Sequence, residues 1–194
     1  QMHSILMRVS DKDERHRGQY KTVENNVAAF DKSGQQIGIV FETASAFETP
    51  QCMEQLVDWT NLRLEEKKLP APVIIGMFIV AFLAIHPFQD GNGRLSRALT
   101  ILLLLRSGYA YVPYSSLESI IETTKQSYYI ALRTTQKTLQ TAEPNWNVWL
   151  TYFLQSLAKQ VRHLKTKIEG EHLLQSMPEI SLRIIEQIRA HGSL

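Results

Sequence analysis

Two apolar runs, Ala71 to Ile85 and Ala98 to Leu105, flank the short stretch HPFQDGNGRLSR at residues 86–97. Each run is apolar nearly all round a helix, and a helix of that kind belongs inside a core. The first predicts a central buried helix over 71–85. The second predicts a buried helix over 94–106, closed by Ser107-Gly108. A chain organised on two such helices is mainly α, and its charged stretch is the loop between them.

The remaining pattern agrees. From Pro50 onward, Met53, Leu56, Val57, Thr60 and Leu64 recur at three- and four-residue intervals, an amphipathic helix ending before Pro70. Ser115 or Ser116 caps a further helix running to Leu139, with Glu118 and Glu122 in its early turns. Trp146 to Glu169 is another, with Trp149, Phe153, Leu157 and Val161 on one stripe. Met177-Pro178 then breaks the chain before the amphipathic ISLRIIEQIRAHG. Nearer the start, two short apolar stretches flank Asp31-Lys32-Ser33-Gly34 and predict a hairpin. The expected fold is a mainly α helical bundle with one small β-hairpin near the N-terminus.

The loop offers specific chemistry. Gly91-Asn92-Gly93 lies just ahead of a helix, where backbone N–H groups are unpaired and the dipole is positive. Glycines let backbone approach a ligand closely, so this is an anion site, most naturally for phosphate. Arg94 and Arg97 are three apart and project from one face of the first turn. Two cations at a helix N-terminus are unfavourable without a ligand, which marks a site for a di- or triphosphate. Asp90 beside bound phosphates calls for a cation between them, and Mg²⁺ is the natural one. His86 is the side chain here that takes up a proton near neutral pH. Phe88 anchors the loop in the core. The assembled chemistry is attack on a phosphorus of a Mg-bound nucleotide by a hydroxyl that His86 deprotonates.

HPFQDGNGRLSR resembles the Fic-domain signature His-x-Phe-x-(Asp/Glu)-Gly-Asn-Gly-Arg-x-x-Arg, with every fixed position present. Gly18-Gln19-Tyr20-Lys21, the hairpin, the helix with Trp59, the Tyr128-Tyr129 pair and Trp149 are also similar to Fic features, so the resemblance spans residues 15–170. It implies a Fic-type helical bundle that transfers AMP from ATP to a Ser, Thr or Tyr hydroxyl of a target protein. His86 would then be the general base. Asp90 would hold Mg²⁺ on the α- and β-phosphates, and Gly91, Asn92 and Gly93 would form the anion hole. Arg94 would sit on the phosphates and Arg97 on the γ-phosphate. The segment from Gly38 to Phe47 resembles the family's flap, which aligns the target's main chain by strand addition. Kinase relatives carry lysine at the position of Gly93, so glycine favours AMP transfer.

Many Fic proteins carry an inhibitory helix, (Ser/Thr)-x-x-x-Glu-(Gly/Asn), whose glutamate pairs with the second arginine. Ser10 to Glu14 is followed by Arg15, and Glu169-Gly170 has Lys165 at the hydroxyl position, so neither fits. The abrupt start and end imply a fragment lacking an upstream inhibitory segment, or inhibition by a separate antitoxin-like partner. With that helix missing, Arg97 is expected to be free and the enzyme de-repressed. The expected division is a catalytic domain over 1–175 and a linker with a C-terminal helix over 176–194, the start of a truncated winged-helix module by resemblance. DNA becomes a partner only if a winged helix follows, and self-modification is a further expectation.

Plainer readings stand beside these. His86 without its neighbours reads as a core or helix-terminal histidine, and Asp90 alone as a helix N-cap. Tyr128, Tyr129, Trp146 and Trp149 read first as core aromatics, with Tyr128 and Tyr129 as a nucleobase wall the alternative. Cys52 reads as a small buried hydrophobe. Composition bounds the rest. The 21 Lys and Arg against 19 Asp and Glu leave +2, too balanced to argue for nucleic acid or an anionic membrane. One cysteine permits no intrachain disulfide and no cysteine zinc cluster. The polar N-terminus shows no signal pattern, and Val73 to Ile85 is shorter than the roughly 20 residues of a membrane helix. A cytoplasmic, soluble protein is expected. Alternatives to AMP transfer are removal of AMP, another nucleotide donor, and a DNA-binding regulator with a vestigial nucleotide site.

Overall fold

Proline, glycine and hydroxyl residues set the helix boundaries of this chain, whose structure is a computed structural model describing residues 2–9, 17–30 and 36–175. The predicted link Asp31 to Gly34, the stretch Ser10 to Glu14 and the closing segment 176–194 lie outside the described residues.

A short helix α1 (Met2–Leu6) and a 3₁₀ turn (Met7–Val9) precede two strands, β1 (Val27–Phe30) and β2 (Gln36–Phe41), which pair antiparallel. Six helices follow: α2 (Thr49–Glu66), α3 (Ala71–Ile85), α4 (Asn92–Arg106), α5 (Leu117–Thr123), α6 (Lys125–Gln136) and α7 (Asn147–Gln175). The described chain is thus mainly α.

Local chemistry explains several boundaries. Ser45 and Glu48 form a reciprocal box before α2: Ser45 Oγ donates to the Glu48 carboxylate at 2.6 Å, and the Glu48 N–H donates to Ser45 Oγ at 3.2 Å. Those Ser45 bonds hold the exposed Glu48 carboxyl below its ordinary value. Lys67, at φ 53°, ends α2. Past α4, Gly108 at φ +91° lets its own N–H donate to the Leu105 carbonyl and the Tyr109 N–H to the Leu104 carbonyl. That double bond pattern closes a helix with a left-handed glycine.

The core is α3 seen from all sides. Ile74, Ile75, Phe78, Ile79, Val80, Phe82 and Leu83 are buried, as its sequence predicts. Trp149 of α7 lies against it and donates its indole N–H to the Gly76 carbonyl at 2.7 Å. Gly76 permits this approach, since a Cβ there would stand 2.8 Å from Leu150 Cδ2 and 3.0 Å from Phe153 Cδ1.

Several expectations need correction. The single helix from Ser116 to Leu139 is two, broken at Thr124, whose hydroxyl bonds the Ile120 carbonyl at 2.7 Å and Tyr152 Oη at 2.8 Å. Such side-chain bonds compete with the helical ladder. Ser116 is the residue that caps, accepting from the Ser119 N–H at 3.1 Å. The α7 stripe continues through buried Gln160 rather than Val161, which is exposed, because 3.6 residues per turn carry position 160 back to the core. Val57 is exposed and Cys52 half-buried.

Candidate active site

The loop begins where α3 stops. His86 caps α3 in a left-handed conformation, φ 53° and ψ 59°, unusual for a residue with a side chain. Its Nδ1 lies 3.3 Å from the Leu83 carbonyl. A carbonyl only accepts, so Nδ1 donates and carries the ring proton, leaving Nε2 as the basic nitrogen of the neutral ring. Burial lowers the pKa of this imidazole. The Leu83 bond opposes the shift, the Lys21 charge adds to it, and Asp90 opposes it.

Asn92 closes the loop on itself. Its side chain accepts from the Phe88 N–H at 2.9 Å and donates to the Phe88 carbonyl at 2.6 Å. Gly91 caps the N-terminus of α4 at φ +80°, and a Cβ there would meet Met7 Sδ at 2.8 Å. The first turn of α4 carries Gly93, no side-chain cap bond and no acidic residue.

One cavity gathers part of the predicted set. About 230 Å³ in volume, it is lined by His86, Gly93, Arg97, Tyr128, Tyr129 and Gln136, among others. That is below the roughly 300–1,000 Å³ of ordinary small-molecule sites. Tyr128 is buried and edge-on to Trp149 and Tyr152, and burial raises its phenol pKa, so it stays neutral. Tyr128 is both core and cavity lining, and the more exposed Tyr129 lines the cavity beside it, with the Arg133 guanidinium 5.6 Å from its ring centroid. Gln136 is buried at the same cavity and was missed by sequence reasoning. Only its place on one helix face with Tyr128 and Leu132, at steps of four residues, hints at it. A larger groove of about 560 Å³ lies between the ends of α2 and α4, away from His86 and without a histidine.

The other predicted residues stand beside this cavity. Asp90 accepts from the Gly91 N–H at 2.6 Å through Oδ1 and from Arg94 Nη2 at 3.2 Å through Oδ2. Arg94 also reaches Met7 Sδ at 3.4 Å, so Arg94 and Arg97 diverge despite their spacing. Arg97, expected from the sequence to be free, is paired. Its Nε is in ion-pair contact with the Glu118 carboxylate from α5, without an aligned N–H···O bond.

Asp90 suits a Mg²⁺ that takes one carboxylate and fills its shell with phosphate oxygens and water. Its carboxylate is half exposed, and each oxygen keeps a lone pair beyond the bond it accepts. Among the described residues no cluster of three His, Cys, Asp or Glu offers an all-protein metal cage.

The loop is braced from the N-terminus. His3 is buried, stacks on Phe88 with ring centroids 3.9 Å apart, accepts the Gly18 N–H at Nδ1 (2.9 Å) and so donates from Nε2 to the Asp90 carbonyl (3.0 Å).

A left-handed histidine, the glycine of a helix's first turn and an arginine thus meet around one cavity. The Fic/DOC family model matches residues 1–104, and the chain belongs to that family. It is 31 % identical over 83 residues to the protein adenylyltransferase and cysteine protease IbpA of Histophilus somni, covering 41 % of this chain and 2 % of that protein. A Fido domain-containing protein of Dictyostelium discoideum is 35 % identical over 82 residues, covering 40 % and 57 %. A probable protein adenylyltransferase of Aquifex aeolicus is 28 % identical over 90 residues, covering 46 % and 27 %. The chain thus matches only part of the length of each.

Among solved structures, a Fic domain-containing signalling protein of Bacteroides thetaiotaomicron superposes with a TM-score of 0.57 at 28 % identity, over 79 % of this chain and 58 % of that one. A Fic family protein of Desulfovibrio desulfuricans shares the fold with a TM-score of 0.64 at 22 % identity, over 99 % and 55 %. Among the described residues no helix is long and apolar enough to cross a membrane.

Proposed function

We propose that this chain transfers AMP from Mg-ATP to a Ser, Thr or Tyr hydroxyl of a target protein. The observation that carries this reading is His86, held by Leu83 with Nε2 unprotonated, sharing one cavity with Gly93, Arg97, Tyr129 and Gln136. The names of two relatives as adenylyltransferases support it.

In this reading the base lies against Tyr129, with the Gln136 amide at its edge. The α4 N-terminus receives phosphate oxygens on the N–H groups of Asn92 and Gly93, beside Gly91, whose own N–H bonds Asp90. Arg97 binds the terminal phosphate once Glu118 is displaced, and Arg94 stands by the phosphates. Asp90 would hold Mg²⁺, which when bound neutralises phosphate charge. The target oxygen attacks the α-phosphorus while His86 Nε2 takes its proton. The bond from that phosphorus to the α,β-bridging oxygen breaks, and pyrophosphate leaves. Gly93 leaves room that a lysine would fill. The target's main chain lies along β2, whose second edge is unpaired among the described residues.

The test uses ATP labelled separately at the α- and γ-phosphate, with His86→Ala as control, alone and with cell lysate. Label on protein from the α position only, lost in the variant, is expected. Label from the γ position only would mean a kinase and overturn the reading.

A further inference from the structure

Four consecutive carbonyls, Ile85 to Phe88, are held by two residues of the segment before β1. Lys21 Nζ donates to the Ile85 carbonyl at 3.0 Å, and the Lys21 backbone N–H donates to that of Pro87 at 2.9 Å. Asn25 Nδ2 donates to the His86 carbonyl at 3.2 Å and to that of Phe88 at 2.6 Å. Each carbonyl on either side of the base thus has a partner about sixty residues away in sequence.

The same two residues reach the root of β2. Lys21 Nζ donates its other protons to Asn25 Oδ1 at 2.8 Å and Thr43 Oγ1 at 2.9 Å, and the Thr43 hydroxyl donates to Asn25 Oδ1 at 3.2 Å. The Thr43 N–H donates to Asn26 Oδ1 at 2.9 Å, and the Ala44 N–H to the Ala84 carbonyl at 3.3 Å. Strand root and helix end are therefore one hydrogen-bonded unit.

This arrangement is costly. Lys21 is 3 % exposed, its three donors all meet neutral oxygens, and burial lowers its pKa against the raising effects of Glu24 and Cys52. Apolar residues would fill such a space more cheaply than a cation. Two local demands justify it. The Ile85 carbonyl ends α3, where helix carbonyls lack partners and a positive charge is favoured. A left-handed non-glycine conformation such as that of His86 also persists only where its surroundings over-determine it.

We propose that Lys21 is a positioning residue for His86: with Asn25 and Thr43 it ties the root of β2 to the backbone of residues 85–88 and so aims the imidazole into the cavity. The assignment rests on the reading of His86 as the base. A target seated on β2 then meets a base whose direction is set by the same unit that carries the strand. Lys21 also acts on the ring through its charge, which opposes imidazolium. The charged and titratable groups around the ring are Lys21 from the N-terminal segment, Asp90 in the loop, Arg97 on α4, and Tyr128, Tyr129 and Arg133 on α6.

The test is an NMR titration of the His86 imidazole in the whole chain, assigned with His86→Gln, beside kcat and KM for AMP transfer. In Lys21→Met the His86 midpoint is expected to rise, kcat to fall about 10²-fold as for a misplaced catalytic group, and KM for ATP to stay nearly constant. Lys21→Arg keeps the charge and should hold the midpoint near that of the parent. An unmoved midpoint together with an unmoved kcat in Lys21→Met overturns the proposal. Should Lys21→Met fail to fold, Thr43→Val removes the hydroxyl's bonds to Lys21 and Asn25 at a half-buried site. It is expected to lower kcat severalfold, and an unchanged kcat overturns the proposal equally. If the parent chain transfers no AMP, the titration still decides: a raised midpoint supports the link and its absence overturns it.

Discussion

Glu118 stands against Arg97 in an ion pair that joins the start of α5 to the first turns of α4. The guanidinium that faces the cavity is thereby already engaged within the chain. Glu118 is mostly exposed, so the pair is worth about 0.2–1 kcal/mol. Glu118→Gln should then lower the Kd for ATP by at most about fivefold. Isothermal titration with ATP checks this, and a weaker complex in the variant would show that Glu118 helps binding.

The pH dependence follows from His86. Burial, with the Lys21 charge, moves its pKa below 6.5 against the Leu83 bond and Asp90. Only the neutral ring accepts a proton, so activity is full above that lowered midpoint and is lost as pH falls through it. The acid limb of kcat/KM should centre below 6.5. A limb centred above 6.5 would contradict this assignment of the base.

Recognition of the base should divide between stacking and hydrogen bonding. Loss of one base–aromatic contact costs about 1–3 kcal/mol, so Tyr129→Ala should raise KM for ATP roughly five- to hundredfold with little change in kcat. Gln136→Leu removes a neutral hydrogen-bonding group worth about 0.5–1.5 kcal/mol, and should reduce preference for ATP over GTP about two- to tenfold. Competition assays with both nucleotides measure each effect. A Gln136→Leu enzyme with unchanged preference would remove Gln136 from the site.

Stability should depend strongly on Trp149. It is fully buried against Tyr128, Tyr152 and Phe153 and bonds the Gly76 carbonyl. Trp149→Ala should cost about 3–5 kcal/mol in urea unfolding, through lost contacts and a residual cavity. A cost under about 1 kcal/mol would mean that α7 repacks freely over α3.

What was legible in the sequence was local. Continuous apolarity placed α3 inside, the glycines beside Asn92 marked the start of α4, and the run from His86 to Arg97 marked the loop between the two helices. These signals work because each depends on neighbours within one or two turns.

Tertiary structure decided what those groups touch. Nothing in the spacing of Arg94 and Arg97 says that one turns to Asp90 and the other to Glu118. Thr124 looks like any helical threonine until Tyr152 stands beside its hydroxyl, and Gln136 is an ordinary polar residue until α6 is set against the cavity. Lys21, Asn25 and His3 matter through bonds to carbonyls 61–87 positions away. Local composition carries no record of such partners, because a hydrogen bond requires only closeness in space, and packing of α3 between α2, α4, α6 and α7 is what creates it.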